Sequence, residues 1–351
     1  MGDFSRRDVM NLFAGTAASI ALIEAGLLTP ANAARNFVTA SAGGAWGEHI
    51  DQIYIKDGGF KALTKLDVSS SYQLESVAAS KIIASKGAPP FDVSCHGQSE
   101  VAVMHEAGAL LSYVPSLVPN LADVPDTAKM GDHYCAMNFL LFGLVWNTKE
   151  IAKAPATFED LLNPAYKGRI GIPAYGWYGM NWLHGVNKAL GGTEDNIDPG
   201  IKFAAQAVKK NNAIIIENAD HARKMFGQGE MLLCPFWNGI ASQLARSDVP
   251  VKFESVPGTL GLGTGFVIAK GTPHEEAANK FVNLTLRPDL QVKFSSWNLY
   301  PPTNRKAKMP AELESIAITD AQLANTVQLD WKKVVAHRAD YLKRWNEEVL
   351  S

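Results

Sequence analysis

Three stretches carry residues whose types could do chemistry. Gly261-Leu262-Gly263-Thr264-Gly265 has the glycine density of a nucleotide loop, in which backbone amides cradle phosphate at a helix start. Its spacing is not Gly-x-Gly-x-x-Gly, and the run that follows, Gly265 to Ala269, reads as a strand, so these glycines suit a sharp bend or a close approach to a ligand instead. Cys95-His96 and His133-x-Cys135 offer thiol and imidazole donors, yet no Cys-x-x-Cys and no His pair at helical ligand spacing joins them into a metal set. Buried thiols beside surface imidazoles are the simpler reading. The sequence also lacks a Gly-x-Ser-x-Gly elbow, a Walker loop and His-Glu-x-x-His. Neither catalysis nor a cofactor or metal is expected.

The third stretch is aromatic and discontinuous: Trp46 after Gly43-Gly44, then Tyr175, Trp177, Tyr178 and Trp182, then Phe236-Trp237-Asn238-Gly239. Rings beside amides and glycines at the ends of strands make an amphipathic wall for a small solute. Trp182, on an expected helix, belongs to a core. Trp46 and Trp237, flanked by Gly and polar residues, belong to a cleft. Glu217 and Asp220 read as solvated turn charges.

Positioning such a wall requires a regular scaffold, and short apolar runs alternate with amphipathic segments in the βαβ rhythm of a mainly parallel sheet. Strands are expected at 36–40, 91–94, 143–147, 169–172, 213–217, 231–235, 251–256 and 265–269. Thr157-Phe158-Glu159-Asp160 places a hydroxyl at an N-cap and an acid three residues on. Thr272-Pro273-His274-Glu275 repeats the pattern with Pro at the first helical position, and Arg287-Pro288 stops that helix.

The chain has 351 residues, 47% of them hydrophobic and 19% charged, with a formal net charge of -2. That length fits two bodies, each with its own core, and a near-neutral charge excludes bulk attraction to nucleic acid or anionic membrane. Ser5-Arg6-Arg7-Asp8-Val9-Met10 precedes an apolar run from Leu12 to Leu28 and a small-x-small site at Ala31-Asn32-Ala33, the order of a twin-arginine export signal. Cleavage is expected after Ala33. The run holds Glu24 and Gly26 and is short for a spanning helix. No lipoprotein Cys follows it, so the mature chain is expected free in the periplasm, with Cys95, Cys135 and Cys234 buried and reduced.

The segment Thr157-Phe158-Glu159-Asp160-Leu161-Leu162-Asn163-Pro164-Ala165-Tyr166-Lys167-Gly168-Arg169-Ile170 resembles the extracellular solute-binding proteins of ABC importers, in particular the spermidine/putrescine-binding type. Phe236-Trp237-Asn238-Gly239-Ile240-Ala241, Pro257-Gly258-Thr259, Leu286-Arg287-Pro288-Asp289 and Leu299-Tyr300-Pro301-Pro302-Thr303-Asn304 match in the same order, as do Glu106 to Leu110 and Gly143 to Asn147 upstream. The resemblance implies a two-lobed periplasmic binding protein fold of type II, each lobe a mixed, mainly parallel α/β sheet flanked by helices. Residues 34–146 with 262–304 would form lobe 1, and 147–261 with 305–351 lobe 2. It implies a monomer that captures a small-molecule solute by hinge closure and delivers it to an inner-membrane ABC permease. Ligand-contact positions carried over from the family are Gly44, Trp46, Tyr72, His96, Phe139, Tyr175, Tyr178, Trp237, Leu262 and Thr264.

The polyamine binders carry Trp-x-Asp where this chain has Leu262-Gly263-Thr264, and acids where it has Tyr175 and Tyr178. A linear polycation would lose its charge partners there, so the expected solute is a small organic amine, a quaternary ammonium held by cation-π contact, or a zwitterionic amino-acid-like molecule. Polyamine binding stands as an alternative. So do a ferric-ion or anion binder, with Tyr300 or Arg169 as the residue concerned, and an exported enzyme on the same scaffold.

Overall fold

A computed structural model describes residues 36–351; the expected export signal at 1–33 lies outside the described residues. Residues Phe37–Ser41 (β1), Val68–Tyr72 (β2) and Val93–Gly97 (β3) pair in parallel in the order β2-β1-β3. Tyr134–Asn147 (β6) is a 14-residue strand buried at every position, the pattern of a strand covered on both faces. At roughly 3.4 Å per residue it runs about 45 Å. Its antiparallel neighbour Thr259–Ala269 (β11) also pairs with β3. Small strands Leu110–Leu111 (β4), Lys129–Met130 (β5) and Thr326–Val327 (β12) edge these two.

Further along β6, Leu233–Trp237 (β9) pairs on one side and Val251–Glu254 (β10) on the other, both antiparallel. Gly171–Pro173 (β7) and Ile214–Ile216 (β8) pair in parallel, and an Ile170–Leu233 bridge ties β7 to β9. Twelve α-helices among the described residues connect the strands. On the β1–β3 half they are Ala45–Ile50 (α1), Phe60–Thr64 (α2), Glu75–Ala84 (α3), Gln98–Glu106 (α4), Glu275–Thr285 (α9) and Pro288–Asn298 (α10); on the other they are Trp177–Ala189 (α5), Asp198–Asn211 (α6), Ala219–Gly227 (α7) and Asn238–Arg246 (α8). Asp320–Ala324 (α11) and Trp331–Arg344 (α12) close the chain.

Two large apolar cores result. One gathers Phe37, Tyr54, Phe60, Phe266, Phe281 and Phe294; the other Phe142, Trp182, Phe203, Phe226, Phe236, Trp331 and Trp345. Along β6, Phe139 belongs to the first and Leu140 to the second, and β11 passes from Leu262 in the second to Phe266 in the first. The fold is the two-lobed type II arrangement, with β6 and β11 running continuously through both cores.

Several expectations change at this point. The strand expected at 143–147 begins nine residues earlier, at Tyr134. The Gly261 to Gly265 stretch is strand rather than bend. A Cβ on Gly263 would lie 2.5 Å from the Ala136 Cβ and 2.5 Å from the Asn138 carbonyl, and one on Gly265 would strike the Cys135 carbonyl. These glycines therefore let β11 approach β6, not a ligand. The helix expected from Pro273 starts at Glu275, because the Thr272 hydroxyl donates to Asp92 and accepts from the His274 amide before the helix begins. The capping box at Thr157 and Asp160 forms, on a 3-10 turn. Trp182 is fully buried, and all three cysteines are free and buried.

Candidate functional site

Parallel strands of one half end together, so β1, β2 and β3 deliver their following loops to one edge of the sheet. After β1 the chain reaches Gly44, whose φ of 66° and ψ of -154° turn it into α1, a conformation open to glycine and strained for other residues. The turn sets Trp46 half-buried, edge-on to Phe294 at 5.0 Å and to Tyr300 at 5.9 Å between ring centroids. Tyr72, at the end of β2, is exposed; its ring lies over Gly47 and its hydroxyl donates to Asp51 at 2.6 Å. That bond, with some burial, holds the phenol up at about 12.

Register decides what β3, β11 and β6 add, because residues facing each other on paired strands share a side of the sheet and neighbours along a strand alternate. Thr264 faces Gly97 and Asn138, and Leu262 faces Leu140. Cys95 lies on the same side, its sulfur between the Trp46 indole and the Thr264 hydroxyl. Burial first, and the charge of Glu75 second, push that thiol well above its ordinary value. Asn138 is fully buried; its Oδ1 accepts from the Thr264 hydroxyl at 2.6 Å and from the Thr264 amide at 3.4 Å, and its Nδ2 has no partner among the described residues.

His96 and Phe139 take the alternate positions and therefore the opposite side. His96 is fully buried with neither ring nitrogen bonded among the described residues, and desolvation drives its pKa down to about 3, so the imidazole is neutral. Phe139 lines a cavity of about 540 Å³ with Pro125, Pro302, Asn304, Ile318 and Leu323. The structure does not bring these two to Trp46.

From the second half, Trp237 closes β9, stacked on Phe236 at 4.4 Å. The Tyr300 ring and the Trp237 indole both press on Gly239, where a Cβ would meet them at 2.6 and 3.2 Å. Trp46, Tyr300 and Trp237 thus form one aromatic series running from the first core to the second. Tyr175 turns instead toward the C-terminal segment, 6.0 Å from Trp345, with its hydroxyl buried and desolvation raising its pKa to about 12. Tyr178 is on α5, but its side chain lies outside the described residues.

Sequence reasoning missed two carboxylates beside this face. Glu75, the first residue of α3, accepts the Gly97 amide at 3.0 Å, and the ideal Cβ of Gly97 would lie 3.8 Å from Glu75 Oε2 and 4.0 Å from Glu100 Oε2. Burial, partly offset by the Gly97 amide and reinforced by Glu100, raises the Glu75 carboxyl to about 7. Neither acid forms an ion pair among the described residues, whereas the anion candidate Arg169 is held in a fork by Glu150 at 2.5 and 2.8 Å and by the Gly229 carbonyl at 2.7 Å. Arg169 is committed to structure. No group of three or more His, Cys, Asp or Glu that could hold a metal occurs among the described residues.

The two-lobed frame thus carries an aromatic series across its seam and, at one end, two carboxylates with no ion-pair partner among the described residues. The model for bacterial extracellular solute-binding proteins matches residues 59–324. The chain belongs to that family. No curated protein matches this solute-binding protein by sequence. Among solved structures it is similar to an extracellular solute-binding protein from Bordetella parapertussis, at 20% identity and a TM-score of 0.77 over 90% of this chain and 98% of that one. The Atu4243 GABA receptor gives 19% identity and a TM-score of 0.73 over 89% and 96% of the two chains. A protein described as a spermidine/putrescine ABC transporter from Listeria monocytogenes gives 17% and 0.68 over 89% and 99%. These likenesses concern the fold. No helix among the described residues is long and apolar enough to cross a membrane.

Proposed function

We propose that this protein is the periplasmic substrate-binding subunit of an ABC importer, exported by its twin-arginine-type signal. It captures a small organic amine, a quaternary ammonium or a zwitterionic amino-acid-like solute between two lobes. The lobes are taken as residues 34–146 with 262–304 and residues 147–261 with 305–351; the two separate cores support a division into two bodies, although β6 already enters the second core at Leu140 and β11 leaves it only after Leu262. The carrying observation is the series Trp46, Tyr300 and Trp237, which links both cores, with Glu75 and Glu100, neither of them in an ion pair among the described residues, gathered at Gly97. Contacts drawn from both lobes exist together only when the lobes close, so a solute that makes them shifts the population to the closed form for a permease to read.

To this site we assign Gly44, Trp46, Tyr72, Trp237, Leu262 and Thr264, of which Trp237 and Leu262 are buried at its floor, together with Glu75, Asn138 and Tyr300. Titrating the protein with its solute and following indole fluorescence tests the reading. Trp237→Ala and Trp46→Ala are each expected to weaken binding about tenfold or more, as removal of a ring from a cation-π or stacking contact does; Trp237 is buried, so its removal also lowers the melting temperature, and affinities are compared at a temperature where both variants are folded. Unchanged affinity in both variants would remove the aromatic series from the site.

A further inference from the structure

The three solute classes above differ in hydrogen-bonding groups, and the site carries groups that separate them. Gly97 precedes α4, whose first-turn amides would attract an anion. Glu75 already accepts the Gly97 amide, and Glu100, in the first turn, accepts from the Ser99 hydroxyl at 2.5 Å. The protein's own carboxylates thus fill the position an anionic solute would need, and they lie at the Gly97 Cβ position, on the Thr264 side of β3, with no ion-pair partner among the described residues. Two strands away on the same side of the sheet, Asn138 presents the opposite demand. Its Oδ1 is engaged by Thr264, and its buried Nδ2 is a donor without an acceptor among the described residues, a group that costs free energy until something pairs with it. Adjacent strands lie roughly 4.8 Å apart, so β3 and β6, with β11 between them, are separated by roughly 10 Å. A single small molecule can reach both ends.

Resting on the reading of the cleft as an amine-solute site, we propose that the solute is a zwitterion of the amino-acid type, its N–H-bearing ammonium on Glu75 and Glu100 and its oxygen acceptor on Asn138 Nδ2, with Trp46 covering the chain between. A diamine offers Asn138 no acceptor. A quaternary ammonium offers the carboxylates no N–H. A dicarboxylate meets Glu75 and Glu100 with like charge.

The test is calorimetric titration of the purified full chain at pH 8 with four molecules of one length: 4-aminobutanoate, its N-trimethylated form, butane-1,4-diamine and succinate. The zwitterion is expected to bind about tenfold or more tighter than each of the others, the discrimination of one charge-assisted hydrogen bond. Glu75→Gln is expected to weaken it by about 10- to 100-fold. Asn138→Asp, which replaces the donor by an acceptor of the same shape, is expected to reverse the preference between zwitterion and diamine, with a melting curve run on each variant to confirm folding. Equal or tighter binding of the diamine or the trimethylated form to the unmodified protein overturns the assignment and leaves solute capture standing. Silence from all four overturns both.

Discussion

Glu75→Gln also makes a prediction that needs no solute. In the folded protein the Glu75 carboxyl is raised from 4.5 to about 7, chiefly by burial. A raised acid binds its proton more tightly in the folded than in the unfolded chain, so its contribution to stability is present below about 4.5 and lost as pH rises through about 7. Each tenfold in proton affinity is worth about 1.36 kcal/mol, which sets a ceiling of about 3 kcal/mol. Solvent in a cleft beside a half-buried side chain lowers this to about 1–2 kcal/mol. Glutamine keeps an oxygen for the Gly97 amide and cannot ionise, so the variant should exceed the native protein only slightly near pH 5 and by about 1–2 kcal/mol at pH 8. The assay is urea denaturation of both proteins at half-unit steps from pH 5 to 8. His96, held neutral by burial, titrates in both and cancels in the difference. A difference that stays flat across that range would refute the claim that an unpaired, desolvated carboxylate sits at Gly97.

Gly263→Ala should lower stability by about 1–3 kcal/mol, because its Cβ overlaps Ala136 and Asn138 and would push β11 from β6; a melt within a degree of the native one would contradict that packing. Arg169→Ala should cost under about 1 kcal/mol, since the Glu150 pair is largely solvent-exposed, and solute affinity should not move. Thiol labelling of the native protein should be slow at Cys95, Cys135 and Cys234, all buried with raised pKa values, and complete on unfolding, because the thiolate is the reacting form; fast labelling of Cys95 in the native state would show that the Trp46 loop opens.

Most of the scaffold was legible in the sequence because it rests on local signals. Apolar runs bounded by turn residues gave strands close to β1, β7, β8, β9 and β10, and the Thr157 capping box is a four-residue pattern with a mechanism. The first half of β6 was not legible, since Tyr134 to Leu141 carries Asn138 in its middle and neither alternates nor runs purely apolar. In the site, Trp46 and Trp237 stood out against neighbouring glycines. His96 and Phe139 were placed by position along the chain, whereas their facing depends on strand register, and one residue of register exchanges the two sides of a sheet. Glu75 in the sequence is an ordinary first-turn acid of a helix; only the arrival of Gly97 and Glu100 beside it makes it a desolvated carboxylate with a like charge for a neighbour. Tyr300 joins the two lobes through Gly239, a contact between residues 61 positions apart that no local pattern announces.

The central claim, capture of an amine-bearing solute between the lobes, is tested most directly by melting the purified chain against a panel of amino acids, amines, quaternary ammonium compounds, dicarboxylates and ferric ion. A solute bound only by the folded state adds about 2.7 kcal/mol at a hundredfold excess over its dissociation constant. The account predicts that rise for an amine-bearing class and for neither the dicarboxylates nor ferric ion; a rise with ferric ion or a dicarboxylate and with no amine would contradict it.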